Sequence, residues 1–283
     1  MAIEILAGKG AVITGAASGI GLELARRCKA EGMRLVLGDC EEEPLRRVAE
    51  ELGARAVLAD VREAQSLTRL AEEAAAHLGR VDLVCANAGV SRMAAIERLT
   101  AEDWRWLFDV NLFGVVETVR AFLPGLKANP DGGHILITAS LSSLYPTRSQ
   151  GAYAASKAAV AMYGEALALE LEGEGSKVGV SLVCPGPVRT NIGTSVRNRG
   201  QAYPMAEAPP GADIHEQAFR ASVREGDWAT AEQIARAALA AVKAGELWVI
   251  TRPQMMDLVQ ARHRAIEAAG RAYEAGTPSL PER

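Results

Sequence analysis

Tyr153 and Lys157 are the two side chains of this 283-residue sequence whose types and spacing most directly suggest chemistry. They lie four residues apart in an alanine-rich helical segment, so they share one face of a helix. A tyrosine near its ordinary pKa of about 10 is a poor base at neutral pH. A neighbouring ammonium favours the phenolate and lowers that pKa, so the pair could exchange a proton with a substrate oxygen. In isolation such a pair is usually only part of a helix surface, but the strand and Pro185-Gly186 that follow make the catalytic interpretation more specific.

A glycine-rich turn, Thr14-Gly15-Ala16-Ala17-Ser18-Gly19-Ile20-Gly21, follows the first apolar run of the chain. Glycine at 15 permits a sharp turn, glycine at 19 lets the backbone approach a pyrophosphate, and glycine at 21 allows close helix–strand packing. The N–H groups and dipole of the following helix favour phosphate. The pattern therefore predicts a dinucleotide site in preference to a plain turn.

Asp39 ends the second predicted strand, 18 residues after Gly21. A carboxylate there can accept hydrogen bonds from the adenosine ribose of NAD and would repel the 2′-phosphate of NADP. Since the glycine turn holds no lysine or arginine, NAD is favoured over NADP. The alternative is a solvated acid that caps the next helix, and Arg46 and Arg47 are the residues that could reverse the preference.

Short apolar runs alternate with helical segments along the chain. The predicted strands lie at about 11–14, 34–37, 56–58, 81–85, 134–138, 178–184 and 247–251. Continuous apolar strands that are each followed by a helix indicate parallel strands covered on both faces. The expected fold is α/β, a Rossmann-type doubly wound parallel sheet of about seven strands with helices on both faces, forming a single domain over 1–283.

Two segments depart from this alternation. Residues 191–227 are irregular and rich in proline, and a loop of that length in a compact α/β domain usually covers a site. Its apolar residues suggest a hydrophobic or aromatic substrate, whereas Arg197 and Arg199 are more simply interpreted as solvated than as carboxylate receptors. Residues 253–283 form a C-terminal extension with a helix predicted over 255–273, whose apolar face includes Leu258 and Ile266.

From about residue 6 to 192 the chain resembles the compact short-chain dehydrogenase/reductase family. The motifs, in the order and spacing of that family, are the glycine turn, Asp60-Val61, Asn87-Ala88-Gly89, Asn111, Ser140, Tyr153-x-x-x-Lys157 and Pro185-Gly186-Pro187-Val188-x-Thr190. The tail of the chain also loosely resembles dehydrogenases of lignin-derived aryl alcohols.

The resemblance implies a role for each motif. The catalytic set would be Asn111, Ser140, Tyr153 and Lys157, with Asn111 holding a water that links Lys157 to solvent. The cofactor would contact Gly15, Ser18, Gly19, Ile20, Gly21, Asp39, Asp60, Val61, Asn87, Ala88, Gly89, Tyr153, Lys157, Pro185, Gly186, Val188 and Thr190. The substrate would meet Ser140, Ser142, Tyr145 and Tyr153; Ser140 ends the fifth strand, where its hydroxyl can position a carbonyl oxygen.

Composition excludes several other classes. The net charge of −4 argues against a nucleic-acid binder, which would need a basic face. No window of about 18 residues is free of charge, so no transmembrane helix is expected. The first residues lack a basic region followed by an apolar one, so no secretory signal is expected. The four cysteines form no C-x-x-C pair and are expected to be reduced and mostly buried. The four histidines are scattered, so no metal is expected.

The sequence thus predicts a cytoplasmic NAD-dependent oxidoreductase of a small alcohol or ketone, without nucleic-acid or membrane partners. Two alternatives stay open: an NADP-dependent carbonyl reductase, and a sensor that binds the cofactor without turnover. A homodimer or homotetramer is expected. The extension after the last strand leaves the usual tetramer of the family in doubt.

Overall fold

Seven parallel strands form the main sheet of the protein. The computed structural model describes residues 2–204, 217–218, 221, 223 and 225–276. In chain order the strands of this sheet are β1 (Gly10–Thr14), β2 (Arg34–Asp39), β3 (Arg55–Leu58), β4 (Leu83–Ala86), β5 (Gly133–Thr138), β6 (Val178–Cys184) and β9 (Trp248–Ile250). Across the sheet they lie in the order β3-β2-β1-β4-β5-β6-β9. The strand order reverses between β1 and β4, and ligands bind at such a switch point in open α/β sheets.

Helices cover both faces of this sheet. They are α1 (Gly19–Ala30), α2 (Glu42–Leu52), α3 (Ala64–Leu78), α4 (Ala101–Phe108), α5 (Gly114–Ala128), α6 (Gly151–Gly173) and α7 (Ala231–Ala244). Apolar residues of α1, α2 and α7 join the strands in one buried cluster, while α3 contacts α5 and α4 contacts α6. Because both faces are covered, every residue of β1, β5 and β6 is buried.

Local sequence explains where several helices begin and end. Thr100 and Asp103 form a capping box at the start of α4, and Thr230 and Gln233 form another at the start of α7. Between α4 and α5 the helix widens to a π-turn over Asp109–Phe113. Such turns are rare and often mark functional positions, and this one carries the predicted Asn111.

The predicted fold class is confirmed, and the strand boundaries agree with the sequence to within about two residues. Within the segment 191–227, a 3₁₀ helix spans Asn191–Asn198. A two-stranded parallel sheet pairs β7 (Val188–Arg189) with β8 (Ala229–Thr230). Residues 205–216 of the predicted covering loop lie outside the described residues.

The chain divides at Thr251 into two units. The second unit contains helix α8 (Met256–Gly276), close to the helix predicted over 255–273. Its apolar residues Leu258 and Ile266 are about half exposed, at 49% and 56%. The organisation of 1–283 as one domain stays a prediction.

Candidate functional site

A cavity runs along the carboxyl ends of the main-sheet strands. It is lined by most of the predicted cofactor and catalytic residues: Gly15, Ser18, Gly19, Ile20, Asp39, Asp60, Val61, Asn87, Ala88, Gly89, Ser140, Tyr153, Lys157, Pro185, Gly186, Val188 and Thr190. Other residues complete the wall, including several of the predicted covering loop: Cys40, Glu41, Ala59, Arg62, Val90, Val110, Thr138, Ala139, Asn191, Ile192, Ser195, Arg197 and Asn198. Parallel strands bring together residues that lie far apart in sequence, so one edge collects almost the whole predicted set.

The glycine turn requires glycine at three positions. Gly15 has a φ of 66°, and a Cβ there would lie 2.8 Å from the Cα of Ala88. Gly19 has a φ of 58°, in the left-handed region that other residues rarely adopt. A Cβ on Gly21 would lie 2.0 Å from the carbonyl oxygen of Gly15, which is closer than two such atoms can approach. Gly21 therefore allows the helix to pack closely against the turn. It does not line the cavity, so its contact with the cofactor stays a prediction.

Asn87 holds this turn in place. Its backbone N–H donates to Thr14 Oγ1 at 3.0 Å, and its Nδ2 donates to the Thr14 carbonyl at 3.0 Å. Its Oδ1 accepts from Thr138 Oγ1 at 3.0 Å. The side chain thus ties β1, β4 and β5 together at the switch point, a positioning role that the sequence did not indicate.

The Asp39 carboxylate is oriented by backbone donors at the end of β2. Oδ2 accepts from the N–H of Ala17 at 2.9 Å, and Oδ1 accepts from the N–H of Glu41 at 3.0 Å. Burial raises the pKa of Asp39, and these hydrogen bonds oppose the rise. Among the described residues, no lysine or arginine forms an ion pair with Asp39, so its charge is left to interact with a ligand.

The arginines that face this end of the cavity are not those that the sequence proposed. Arg46 is bonded to Glu43 and Glu50 on the exposed side of α2, and neither Arg46 nor Arg47 lines the cavity. Arg62 and Arg197 line it instead. The sequence did not single out Arg62, and it considered Arg197 only as a possible receptor for a substrate carboxylate.

The predicted catalytic residues converge at the base of the cavity. Tyr153 and Ser140 share a hydrogen bond between their side chains. Lys157 Nζ donates to the Thr138 carbonyl at 2.7 Å, and its side chain is only 2% exposed. Burial lowers the pKa of Lys157 to about 8. Burial also raises the pKa of Tyr153, against the lowering expected from Lys157, although the bond with Ser140 opposes the rise.

Asn111 is fully buried beside this group and does not line the cavity. Its Oδ1 accepts from the Val90 N–H at 2.8 Å, and its Nδ2 donates to the Val90 carbonyl and to Ser156 Oγ, both at 3.0 Å. The amide therefore ties the irregular segment after β4 to Ser156 of α6. The predicted role in holding a water stays a prediction.

Two predicted substrate residues lie outside the cavity wall. Ser142 Oγ donates to Gln150 Oε1 at 2.8 Å, and its backbone N–H donates to Ser140 Oγ at 3.1 Å. Tyr145 is buried, and burial raises its pKa. Neither side chain is brought to the cavity, so their contact with substrate stays a prediction.

The interpretation of Arg199 as solvated is wrong. This side chain is 4% exposed, forms an ion pair with Asp103 and lies over the Trp106 ring, with its guanidinium carbon 5.4 Å from the ring centroid. Arg197, by contrast, is 39% exposed. The expectation of mostly buried thiols holds for three cysteines but not for Cys40, which is exposed at the cavity.

The described part of the chain contains no cluster of three or more acidic, histidine or cysteine side chains placed to hold a metal ion. Within the same residues, no helix combines the length and the hydropathy that crossing a membrane requires.

Residues 9–201 match the family described as short chain dehydrogenase. The chain is 37% identical over 185 residues to the probable oxidoreductase EphD of Mycobacterium bovis; this covers 64% of the chain but 31% of EphD, so the chain spans about a third of that relative. It is 40% identical over 189 residues to 1-deoxy-11-beta-hydroxypentalenate dehydrogenase of Streptomyces exfoliatus, covering 64% and 68% of the two chains. A short chain dehydrogenase/reductase from Burkholderia phymatum, solved in complex with NAD, is 34% identical, with a TM-score of 0.89 over 99% of each chain.

Proposed function

Because the chain belongs to the short chain dehydrogenase family of oxidoreductases, we propose that it uses NAD to oxidise a secondary alcohol or reduce the corresponding ketone. The observation that carries the proposal is the single cavity that joins the glycine turn to the Ser140, Tyr153 and Lys157 side chains. A dinucleotide site and a proton-transfer group in one crevice are the two components that such a reaction needs. The NAD in the Burkholderia phymatum structure supports the cofactor assignment.

The turn fits a dinucleotide on structural grounds. Gly19 presents no side chain where the backbone meets the cavity, and Ser18 makes no capping hydrogen bond with its own helix. The first N–H groups of α1 are therefore left to bind phosphate. Pro185, Gly186, Val188 and Thr190 would hold the nicotinamide end, and Asp39 would accept hydrogen bonds from the adenosine ribose.

Tyr153 is the proposed acid and base. In the direction of alcohol oxidation, its phenolate oxygen takes the proton of the substrate hydroxyl, and in the reverse direction the phenol returns it. Ser140 donates a hydrogen bond to the same substrate oxygen and orients it. The bound cofactor supplies the hydride acceptor or donor and, when oxidised, a positive charge that favours the phenolate.

Lys157 supports the proton transfer from beneath. Its buried ammonium has a pKa of about 8, so it can lose and regain a proton near neutral pH. It also favours the ionised form of Tyr153. In the proposal Lys157 additionally holds the ribose next to the nicotinamide, since its Nζ keeps donor capacity beyond the bond to Thr138.

A hydrophobic or aromatic substrate is proposed because apolar side chains contribute to the cavity wall. They include Val90, Val110, Val188 and Ile192. A cytoplasmic homo-oligomer without nucleic-acid or membrane partners completes the proposal.

An NADP-dependent carbonyl reductase is the second candidate, because Arg62 and Arg197 line the cavity. Both arginines are engaged by acids, Asp60 and Glu41, while Asp39 has no cation partner among the described residues. The uncompensated charge at this end is therefore negative, which favours hydroxyl groups over a phosphate.

Titration of the purified protein with NAD and with NADP in parallel, followed by calorimetry and thermal unfolding, tests the cofactor. We expect NAD to bind more tightly and to raise the unfolding midpoint. Stabilisation by NADP alone would establish the second candidate. No binding of either dinucleotide would contradict the dehydrogenase proposal.

A panel of secondary alcohols with aryl, alkyl and sugar substituents, monitored by NADH formation, tests the substrate class. Higher kcat/KM for aryl and alkyl members is the expected result. Binding of NAD without turnover on the alcohols or on the matching ketones would favour the sensor hypothesis instead.

A further inference from the structure

Two arginines face the adenosine end of the cavity, and each is held by an acid. Arg62 donates from Nε to both carboxylate oxygens of Asp60, at 2.9 and 3.0 Å. Arg197 donates from Nε to Glu41 Oε1 at 2.6 Å. The two pairs differ in how firmly they are held, and this difference determines which arginine can be released.

The Arg62 side chain is fixed from three sides. Besides Asp60, its Nη1 donates to the Arg199 carbonyl at 3.0 Å, and its guanidinium carbon lies 5.4 Å from the centroid of the Tyr203 ring. Removing one partner would leave the others in place.

Arg197 has one acidic partner. Its other contacts are Nη1 bonds to oxygen atoms of its own 3₁₀ segment, at Asn191 and Thr194. The Arg197 and Glu41 side chains are 39% and 19% exposed, so the pair is partly hydrated and lies at the rim of the cavity. Glu41 is thus the only carboxylate that ion-pairs with Arg197 among the described residues.

Glu41 also lies directly beside the residue that we assign to the ribose. Its backbone N–H donates to Asp39 Oδ1 at 3.0 Å, while its own carboxylate bonds Arg197. A continuous series of contacts therefore connects Asp39 to Arg197 through Glu41. A single residue, Glu41, therefore separates the Arg197 guanidinium from the Asp39 carboxylate, which distinguishes a ribose hydroxyl from a 2′-phosphate.

We propose that Glu41 is a second determinant of cofactor specificity, which engages Arg197 and so prevents it from binding the 2′-phosphate of NADP. The inference rests on the proposed use of NAD and extends it. Asp39 disfavours the phosphate directly by repulsion, and Glu41 disfavours it by pairing with Arg197, the cavity arginine that a single substitution can release. Arginine binds phosphate through paired N–H donors, so its release would create an attractive contact in place of a neutral pair.

The test is a series of variants titrated with NADP and NAD by calorimetry. Asp39→Ser removes the repulsion, Asp39→Ser with Glu41→Ala also releases Arg197, and a third variant adds Arg197→Gln. Alanine at 41 removes no helix cap, because Glu41 makes no side-chain capping bond, and it keeps the N–H that orients residue 39. The matched control combines Asp39→Ser with Glu43→Ala, since Glu43 pairs with Arg46 outside the cavity.

Relative to Asp39→Ser, the Glu41→Ala combination should lower the Kd for NADP by about tenfold, and Arg197→Gln should cancel that gain. When Arg197→Gln is combined with Asp39→Ser alone, so that Glu41 is intact, the Kd for NADP should change less than threefold. The control should match Asp39→Ser. Thermal unfolding verifies that each variant is folded. If a combination does not fold, the single variant Glu41→Ala replaces it, and this variant should show a smaller preference in binding affinity for NAD over NADP.

Equal NADP affinity with and without Glu41, or a gain that survives Arg197→Gln, would overturn the inference while leaving NAD use intact. Wild-type protein that binds NADP more tightly than NAD would contradict the proposed cofactor and the inference together. The two failures are therefore distinguishable by the wild-type titration alone.

Discussion

The two ends of the main sheet hold buried charge in opposite ways. At the amino end, Asp82 is 2% exposed and precedes β4. Its oxygens accept from the Gly10 N–H at 2.8 Å and from Asn129 Nδ2 at 3.2 Å, and they lie 3.0 Å from Arg80 Nε and 3.6 Å from Lys9 Nζ. The protein itself thus satisfies this carboxylate with backbone, amide and cationic partners.

At the carboxyl end, Lys157 and Asp39 have no oppositely charged partner among the described residues. Lys157 forms no ion pair with a carboxylate among the described residues and donates only to a backbone carbonyl there. Burial raises the pKa of both Tyr153 and Asp39. Charge at the amino end is therefore compensated within the fold, whereas charge at the carboxyl end is buried at a cost in stability, as the proposed ligand site would require.

Tyr153→Phe should have the largest effect on function. The variant lacks the phenolic oxygen that is proposed to exchange the substrate proton, so kcat should fall by about 10²–10⁴-fold. NAD affinity and the unfolding midpoint should stay close to wild type, because the ring remains. Steady-state kinetics beside calorimetry separate the two effects, and turnover at the wild-type rate would rule out the assigned acid and base.

Asp82→Ala should have the largest effect on stability. It leaves the Gly10 N–H and Asn129 without their acceptor, so the free energy of unfolding should fall by about 3 kcal/mol. kcat of the folded protein should not change. Urea denaturation checks this, with Asp131→Ala as the control, since Asp131 pairs with the same Arg80 at the surface and should cost less than about 1 kcal/mol.

Lys157→Met should raise the free energy of unfolding, whereas Asp82→Ala lowers it. A folded-state pKa of about 8 against 10.5 means that burying the ammonium opposes folding at pH 7, by about 3 kcal/mol at the conversion of 1.36 kcal/mol per pKa unit. Methionine removes that cost but loses the bond to Thr138, so a net gain of about 1–2 kcal/mol is expected, together with loss of turnover.

The pH dependence of the free energy of unfolding tests whether the Lys157 ammonium is destabilised by burial. Between about pH 8 and 10.5 the unfolded wild type binds more protons than the folded form, so wild-type stability rises with pH in that window. The advantage of Lys157→Met should therefore shrink from pH 7 to pH 10. Urea denaturation at both values measures it, and an advantage that grows with pH would show that the Lys157 ammonium is not destabilised by burial.

Features that depend on near neighbours in sequence could be predicted well. The apolar runs of β1 and β6, the glycine turn and the four-residue spacing of Tyr153 and Lys157 each record a local constraint. The topology of the sheet then determines which of these residues meet. Parallel strands place their carboxyl ends at one edge, so Asp39 and Ser140 line the same cavity.

Features that depend on distant partners could not be predicted. Arg197 and Glu41 are 156 residues apart in sequence, and nothing in either segment indicates the other. Arg199 resembles any loop arginine until Asp103 and Trp106 enclose it. The pKa of Tyr153 was expected to fall because the charge of Lys157 is visible in the sequence, whereas the burial that raises it is a property of the fold.

Ser142→Ala should have the smallest effect and defines where the substrate region ends. The Ser142 hydroxyl bonds Gln150, which also accepts from Thr147 Oγ1 at 2.7 Å, so the amide keeps a partner when the hydroxyl is lost. We expect kcat/KM to change less than twofold and the free energy of unfolding to fall by about 1 kcal/mol or less. Ser140→Ala is the matched comparison, since Ser140 bonds Tyr153 and should lose about 10²-fold in kcat/KM. If Ser142→Ala lowered kcat/KM as much as Ser140→Ala, the Ser142 hydroxyl would contact the substrate, and the substrate region would extend beyond Ser140 and Tyr153.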